Sequence, residues 1–225
     1  MQIETEIFLF RHGKTLANEK RLYCGKTDVE LSEAGRAELK KKRDSYIYPK
    51  LHQCKIFTSG MKRVSQSLGI LYPEFSNVAE VEKKFSEINF GDFEMKSYEE
   101  LRTNDSYQKW VQNLVDRITN FPCPNGESFS QMKLRVLFAL KKIVSDYPSV
   151  AIFTHGGVIS VIMEKFFPNE RKSFYDWQPD FGEGYKISLK NYSTEKAGSI
   201  EKSEFEIAYE KIPYERENLT AERKN

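Results

Sequence analysis

Short apolar runs that end abruptly in polar, glycine-containing triplets set the rhythm of this chain. Ile7-Phe8-Leu9-Phe10 stops at Arg11-His12-Gly13, Lys55-Ile56-Phe57-Thr58-Ser59 stops at Gly60, and Val150-Ala151-Ile152-Phe153-Thr154 breaks into His155-Gly156-Gly157. Unbroken apolarity over so few residues predicts strands buried on both faces, as in a parallel sheet covered by helices. Between these runs the spacing becomes helical. A helix is expected from about Ser32, which offers a cap, with Leu31, Ala34 and Leu39 in its stripe and the basic run Lys40 to Arg43 on a solvated face. A second opens at Ser59 or Gly60, carries Val64, Leu68 and Leu71, and ends before Pro73. Helical patterns return over residues 97–102 and 106–115. Ser128 and Gln131 then form a capping box that opens a helix through Met132, Val136, Leu140 and Val144. Residues 158–163 read as a buried helix, residues 78–81 as a weaker strand, and residues 185–189 and 205–209 as late antiparallel strands. Residues 85–94 are irregular and residues 121–126 form a Pro/Gly loop. The alternation argues for an α/β three-layer sandwich with a mostly parallel central sheet, formed by one domain over residues 1–225. Residues 210–225, charged and poor in apolar side chains, are expected to be a loosely held tail.

Composition narrows the function more by exclusion than by indication. Of 225 residues, 39% are hydrophobic and 30% charged, the balance of a folded chain. Lys and Arg number 35 against 33 Asp and Glu, so the net charge of +2 leaves no electrostatic footprint for nucleic acid or an anionic membrane. No apolar run reaches the length of a spanning helix and the first residues are polar, so the expected location is the cytoplasm. Three cysteines, Cys24, Cys54 and Cys123, and three histidines, His12, His52 and His155, show no metal-ligand spacing. Free thiols are therefore expected and a zinc or histidine-rich metal site is not, while a carboxylate site stays open at this point; no cofactor is expected.

The chemistry lies where the apolar runs stop. In open α/β sheets, ligands bind beyond the carboxyl ends of the strands. His12 and His155 each follow such a strand directly, Arg11 stands beside the first, and the third strand delivers Arg63 in the opening turn of the next helix. Singly, each of these residues is as readily structural; the repeat of strand then His-Gly at two places points to a site. Guanidinium forks suit a phosphate through paired, charge-assisted hydrogen bonds, and the glycines after each histidine let the backbone approach. The amino terminus of the helix after Gly157 is a further expected donor. A neutral imidazole in such a pocket can attack phosphorus, and Glu87 is the carboxylate expected to protonate the leaving oxygen, with Asp92 and Glu94 close enough in sequence to replace it.

These segments resemble the histidine phosphatase superfamily, also called phosphoglycerate mutase-like, from about Ile7 to Leu189. Phe10-Arg11-His12-Gly13-Lys14-Thr15 with Asn18 is similar to its signature, Thr58 to Ser67 to its second block, and Thr154-His155-Gly156-Gly157 to its closing block. The resemblance implies that His12 becomes phosphorylated, that Arg11, Arg63, His155 and Asn18 bind the phosphoryl group, and that Glu87 serves as acid and then as base without a metal. Lys14 departs from the signature, which carries an acidic or amide residue there. The stretch from Glu87 to His155 is short for the family, since the glycolytic mutases carry a longer insertion, and this implies hydrolysis.

Tyr23-Cys24-Gly25-Lys26-Thr27-Asp28, Glu87 to Met95, Trp110 and Pro124 to Phe129 are similar to α-ribazole-5′-phosphate phosphatases of cobalamin nucleotide-loop assembly. That similarity implies rim contacts from Cys24, Gly25 and Gly156, and an aromatic platform drawn from Tyr23, Phe90, Phe93 and Trp177. The expected partner is a small phosphomonoester, and monomer and homodimer both stay open. A phosphatase of broad specificity for sugar phosphates or phosphoglycerates shares the same core residues. A silent phospho-ligand binding module needs neither nucleophile nor proton donor, so the joint presence of His12 and Glu87 weighs against it.

Overall fold

The computed structural model describes residues 4–116, 119–190 and 206–215, excepting the side chain of Val115. Six strands, β1 (Glu4–Arg11), β2 (Lys55–Thr58), β3 (Glu80–Val81), β4 (Ser149–Thr154), β5 (Gly184–Lys190) and β6 (Glu206–Ile212), form one sheet in the order β3-β2-β4-β1-β5-β6. The pairs β3–β2, β2–β4 and β4–β1 are parallel, and β5 and β6 add on antiparallel, as the late strands were expected to do. The helices are α1 (Leu16–Glu19), α2 (Glu33–Ser45), α3 (Lys62–Leu71), α4 (Tyr98–Leu101), α5 (Asp105–Val115), α6 (Phe129–Asp146) and α7 (Gly156–Phe166).

Both sheet faces are covered because successive strand residues point to opposite sides. In β1, Ile7 and Leu9 join a core with Met132, Val136 and Leu140 of α6 and Val158 and Ile162 of α7. Phe8 and Phe10 join a second core with Leu39 of α2 and Val64 and Leu68 of α3. The result is the expected three-layer sandwich. A smaller cluster of Phe93, Leu101, Tyr107, Trp110 and Cys123 gathers α4, α5 and the loops beside them.

Helix starts follow the local chemistry. Ser32 caps α2 through Gly35 N, and Ser128 with Gln131 completes the expected capping box on α6. Two differences from expectation are instructive. Helix α1, a single turn, has its own capping box between Thr15 and Asn18; so short a helix has no periodicity to reveal it. Residues 210–212 are not tail: they end β6, Ile212 is buried, and the next residues are tied down where Tyr214 and Ile47 exchange backbone hydrogen bonds. Exposed and half-buried residues alternate along this edge strand, which is why its composition imitates a solvated tail. Phe205 and residues 216–225 lie outside the described residues.

Candidate active site

Strand register builds the centre. Arg11 of β1 pairs with Thr154 of β4, so the next residue on each strand, His12 and His155, leaves the sheet at the same level. His12 N donates to Thr154 O at 3.0 Å, and the two ring centroids lie 5.2 Å apart at 66°. Thr58 of β2 pairs with Phe153, which carries Ser59 to His155, where Oγ and Nε2 are 2.9 Å apart. The two imidazoles anticipated as neighbours are in van der Waals range of each other.

Each ring has one nitrogen committed. His12 Nδ1 lies 2.7 Å from Gly13 O, and a carbonyl only accepts, so Nδ1 carries the proton and Nε2 keeps its lone pair. Burial, reinforced by Arg63 and then Arg11, holds His12 far below the usual imidazole range, against the pull of the Gly13 carbonyl. His155 is lowered in the same way by burial, then by Arg63 and His12. Both rings are thus neutral at pH 7. His155 Nδ1 is buried and has no partner among the described residues, and the same is true of Arg11 Nε.

Arg11 donates through Nη1 to Pro179 O at 2.7 Å, and its guanidinium carbon sits 4.1 Å from the centre of the Phe181 ring. Burial lowers its pKa, while the charges of Glu87 and Asp180 oppose that shift. Gly156, the first residue of α7, lies directly under this guanidinium, where a β-carbon would press on Arg11 and Gln178. Arg63 is fully buried and turns two donors to main-chain carbonyls, Nη1 to Thr27 and Nη2 to Gly25, at 2.9 and 2.8 Å. Its charge acts on the pocket while its fork also anchors the loop of Gly25 and Thr27.

The same loop is held from its amide side by Glu94, whose carboxylate accepts from the backbone N–H groups of Gly25, Lys26 and Thr27, the Thr27 hydroxyl and Phe90 N. Glu94 is therefore committed to holding that loop. Gly25 itself packs on Ile88 O so closely that no β-carbon fits. Asp92 is likewise engaged, by the Asn125 amide. Glu87 accepts from Gly157 N at 2.9 Å and from Ile88 N at 3.0 Å. The α7 amino terminus, expected to greet the anion, thus gives its Gly157 donor to Glu87. A side chain at Gly157 would collide with that carboxylate.

Asn18 uses Oδ1 to accept from Thr15 N and Thr15 Oγ1, which leaves the amide N–H₂ as the end it offers to a ligand. Lys14 stays out of the pocket, paired with Glu38 at 3.1 Å on a half-exposed surface. Cys24 is a half-buried thiol whose pKa is raised, chiefly by burial, so it is not a thiolate at neutral pH. Ser59, Ser67, which accepts from Gly13 N at 2.9 Å, and Phe181 were not anticipated as site residues. The serines' only sequence signal was their position in the second signature block.

Beside this polar centre lies a chamber of about 580 Å³ whose walls include Arg11, Glu87 and Gly157. Its other walls include Tyr23, Phe90, Tyr107, Trp110, Phe174 and Tyr175, and none of the remaining lining residues is charged. Two of the expected platform residues, Tyr23 and Phe90, are here. The other two are not: Phe93 and Trp177 are core residues, each at most 2% exposed. A second cavity of about 780 Å³ also reaches Glu87 and Ser59, and its walls carry Lys26, Lys83 and Arg135 together with Asp28 and Glu127.

Residues 7–197 match the family model of the histidine phosphatase superfamily, branch 1. The chain belongs to that superfamily. It is accordingly a phosphoric monoester hydrolase acting on small phosphorylated substrates. Among curated relatives, phosphoglycerate mutase-like protein 4 of Arabidopsis thaliana is 27% identical over 172 residues, covering 74% of this chain and 73% of that protein. The adenosylcobalamin/alpha-ribazole phosphatase of Salmonella typhimurium is 23% identical over 180 residues, covering 78% and 86%. Among solved structures, a putative alpha-ribazole-5′-P phosphatase from Escherichia coli superposes with a TM-score of 0.70 at 18% identity, covering 91% of this chain and 94% of that one, which shows the shared histidine phosphatase fold. Among the described residues no helix is long and apolar enough to cross a membrane.

Proposed function

We propose that this histidine phosphatase hydrolyses phosphomonoesters with a flat, uncharged leaving group, and that its substrate is α-ribazole-5′-phosphate or a close relative. The observation that carries the reading is the chamber beside Arg11 and Glu87, walled by aromatic rings and free of charge beyond that mouth. A carboxylate or ammonium placed there would lose its hydration without gaining a counter-charge, whereas a benzimidazole would exchange water for ring contacts. The relatives named as alpha-ribazole phosphatases add weight to the choice.

In the proposed reaction, the lone pair on His12 Nε2 attacks phosphorus while the bond to the leaving oxygen breaks. Glu87 delivers a proton to that oxygen. Arg11 Nε and His155 Nδ1, two of the buried nitrogens without partners among the described residues, meet the phosphoryl oxygens together with the Asn18 amide and the charge of Arg63. His155 serves as a donor here, which assigns its proton to Nδ1 and makes Nε2 the acceptor of the Ser59 hydroxyl. Glu87, now ionised, takes a proton from water, the hydroxide oxygen attacks the phosphohistidine, and the P–N bond breaks to restore His12.

A second reading has an observation of its own. The larger cavity at Glu87 carries Lys26 and Lys83 along with Asp28 and Glu127, a polar lining of mixed charge that suits a phosphoglycerate or a sugar phosphate better than a flat apolar ring. A panel of phosphomonoesters followed by phosphate release separates the two. We expect kcat/KM for α-ribazole-5′-phosphate to exceed that for 3-phosphoglycerate by about 10- to 100-fold, the worth of two aromatic contacts. Equal turnover across the panel, or a preference for the anionic esters, rejects the chamber as the leaving-group site.

A further inference from the structure

Among the described residues, three buried side-chain nitrogens lack any hydrogen-bond partner: Arg11 Nε, His155 Nδ1 and Trp110 Nε1. A buried donor without an acceptor costs about 1–3 kcal/mol, and folded proteins carry few of them. Two of the three stand in the phosphate pocket, where an oxyanion satisfies both. The third belongs to a residue that lines the leaving-group chamber and is only 3% exposed. The same logic assigns it a ligand acceptor.

The surroundings of Trp110 explain why no side chain fills that role. Its ring is packed among Tyr23, Phe90, Phe93, Tyr107 and Phe129 at centroid distances of 5.7–6.3 Å, so its neighbours are ring faces and edges. The nearest polar atoms among these rings, the Tyr23 and Tyr107 hydroxyls, are 2.6 Å apart and bond each other. One proton lies between them, so the accepting hydroxyl keeps its own proton free to donate. The hydroxyl pair thus adds one free O–H, along with its remaining lone pairs, to the unpartnered indole N–H.

We propose that Trp110 is a specificity-determining residue, whose indole N–H selects leaving groups carrying an in-plane hydrogen-bond acceptor on a flat ring. The proposal rests on the chamber being the leaving-group site, and it adds a requirement that stacking alone does not impose. In α-ribazole the ring nitrogen not attached to ribose is such an acceptor. A leaving group with a C–H at that position would enter the chamber equally well and leave the indole N–H unsatisfied, the circumstance in which enzymes discriminate most strongly.

The test compares benzimidazole riboside 5′-phosphate with its indole isostere, in which that nitrogen is a C–H, using wild type and Trp110→Phe. The phenyl ring keeps a smaller aromatic wall and removes the N–H. Each variant is read as the ratio of kcat/KM for the two esters, so a loss of folded fraction cancels. We expect wild type to favour the benzimidazole ester by about tenfold or more, and W110F to favour it by less than about twofold. A benzimidazole preference that survives in W110F overturns the proposal, as does a wild-type ratio near one with both nucleotides still preferred over 3-phosphoglycerate. Should wild type prefer 3-phosphoglycerate to both nucleotides, the chamber reading fails first and this proposal fails with it.

Discussion

The proposed phosphate pocket and the proposed leaving-group chamber share a border at Arg11 and Glu87 but are built in opposite ways. The pocket hangs from the ends of β1, β2 and β4, whose register delivers His12, His155 and Ser59 to one level. The chamber is assembled from side chains far apart in sequence, Tyr23, Phe90, Trp110 and Phe174 among them, carried on loops and α5. One is polar, with a committed His12 tautomer and, among the described residues, two unpartnered nitrogens; the other is aromatic and uncharged beyond its mouth. On the proposed reading, the contrast teaches that reaction chemistry is tied to the rigid sheet, while substrate choice sits on elements that can change without disturbing it.

The largest separation between the two regions should come from Glu87. Glu87→Gln keeps the shape and removes the proton, so turnover of an ester with an alkoxide leaving group is expected to fall by about 10²–10³-fold, while an activated nitrophenyl ester falls far less. Stopped assays with the two esters check this; an equal loss on both would take the acid role away from Glu87. A smaller effect is expected on the chamber side. Phe90→Ala removes one aromatic wall and should reduce kcat/KM for the benzimidazole ester by roughly two- to tenfold, with 3-phosphoglycerate turnover within about twofold of wild type. Parallel losses on both esters would mean that the aromatic wall does not distinguish them.

A separate effect, on stability instead of turnover, concerns pH. Both buried imidazoles have pKa values depressed below 6.5 in the folded protein. Below that pH the unfolded chain binds protons that the native state refuses, so stability falls as pH falls, by up to about 1.4 kcal/mol per histidine per pH unit. Thermal melts between about pH 7.5 and 5.5 should show this decline in wild type, and saturating phosphate should flatten it, because a bound anion favours the imidazolium. A melting temperature independent of pH in phosphate-free buffer would contradict the burial of the pair.

Much of the pocket was legible because its signal is local: an apolar strand, then His-Gly, twice. Arg11, His12, Arg63 and His155 converge as read. What stayed hidden depends on contacts that no local pattern carries. Glu94 and Glu87 stand close in sequence with the same chemistry, yet only the fold shows that Glu94 gathers the amides of the Gly25 loop. Trp177 and Trp110 are both buried aromatics, and only the packing distinguishes the one in the sheet core from the one on the chamber wall. Ser59 and Ser67 are ordinary serines until register brings one to His155 and packing brings the other to Gly13.

The account turns on where the phosphoryl group rests between its two transfers. Wild-type enzyme mixed with substrate, quenched in alkali within the first turnover and mapped by peptide mass spectrometry should carry phosphate on the peptide containing His12, and His12→Ala should carry none. A phosphoryl group found on His155 instead, or a full burst of alcohol release with His12 unmodified, would contradict it.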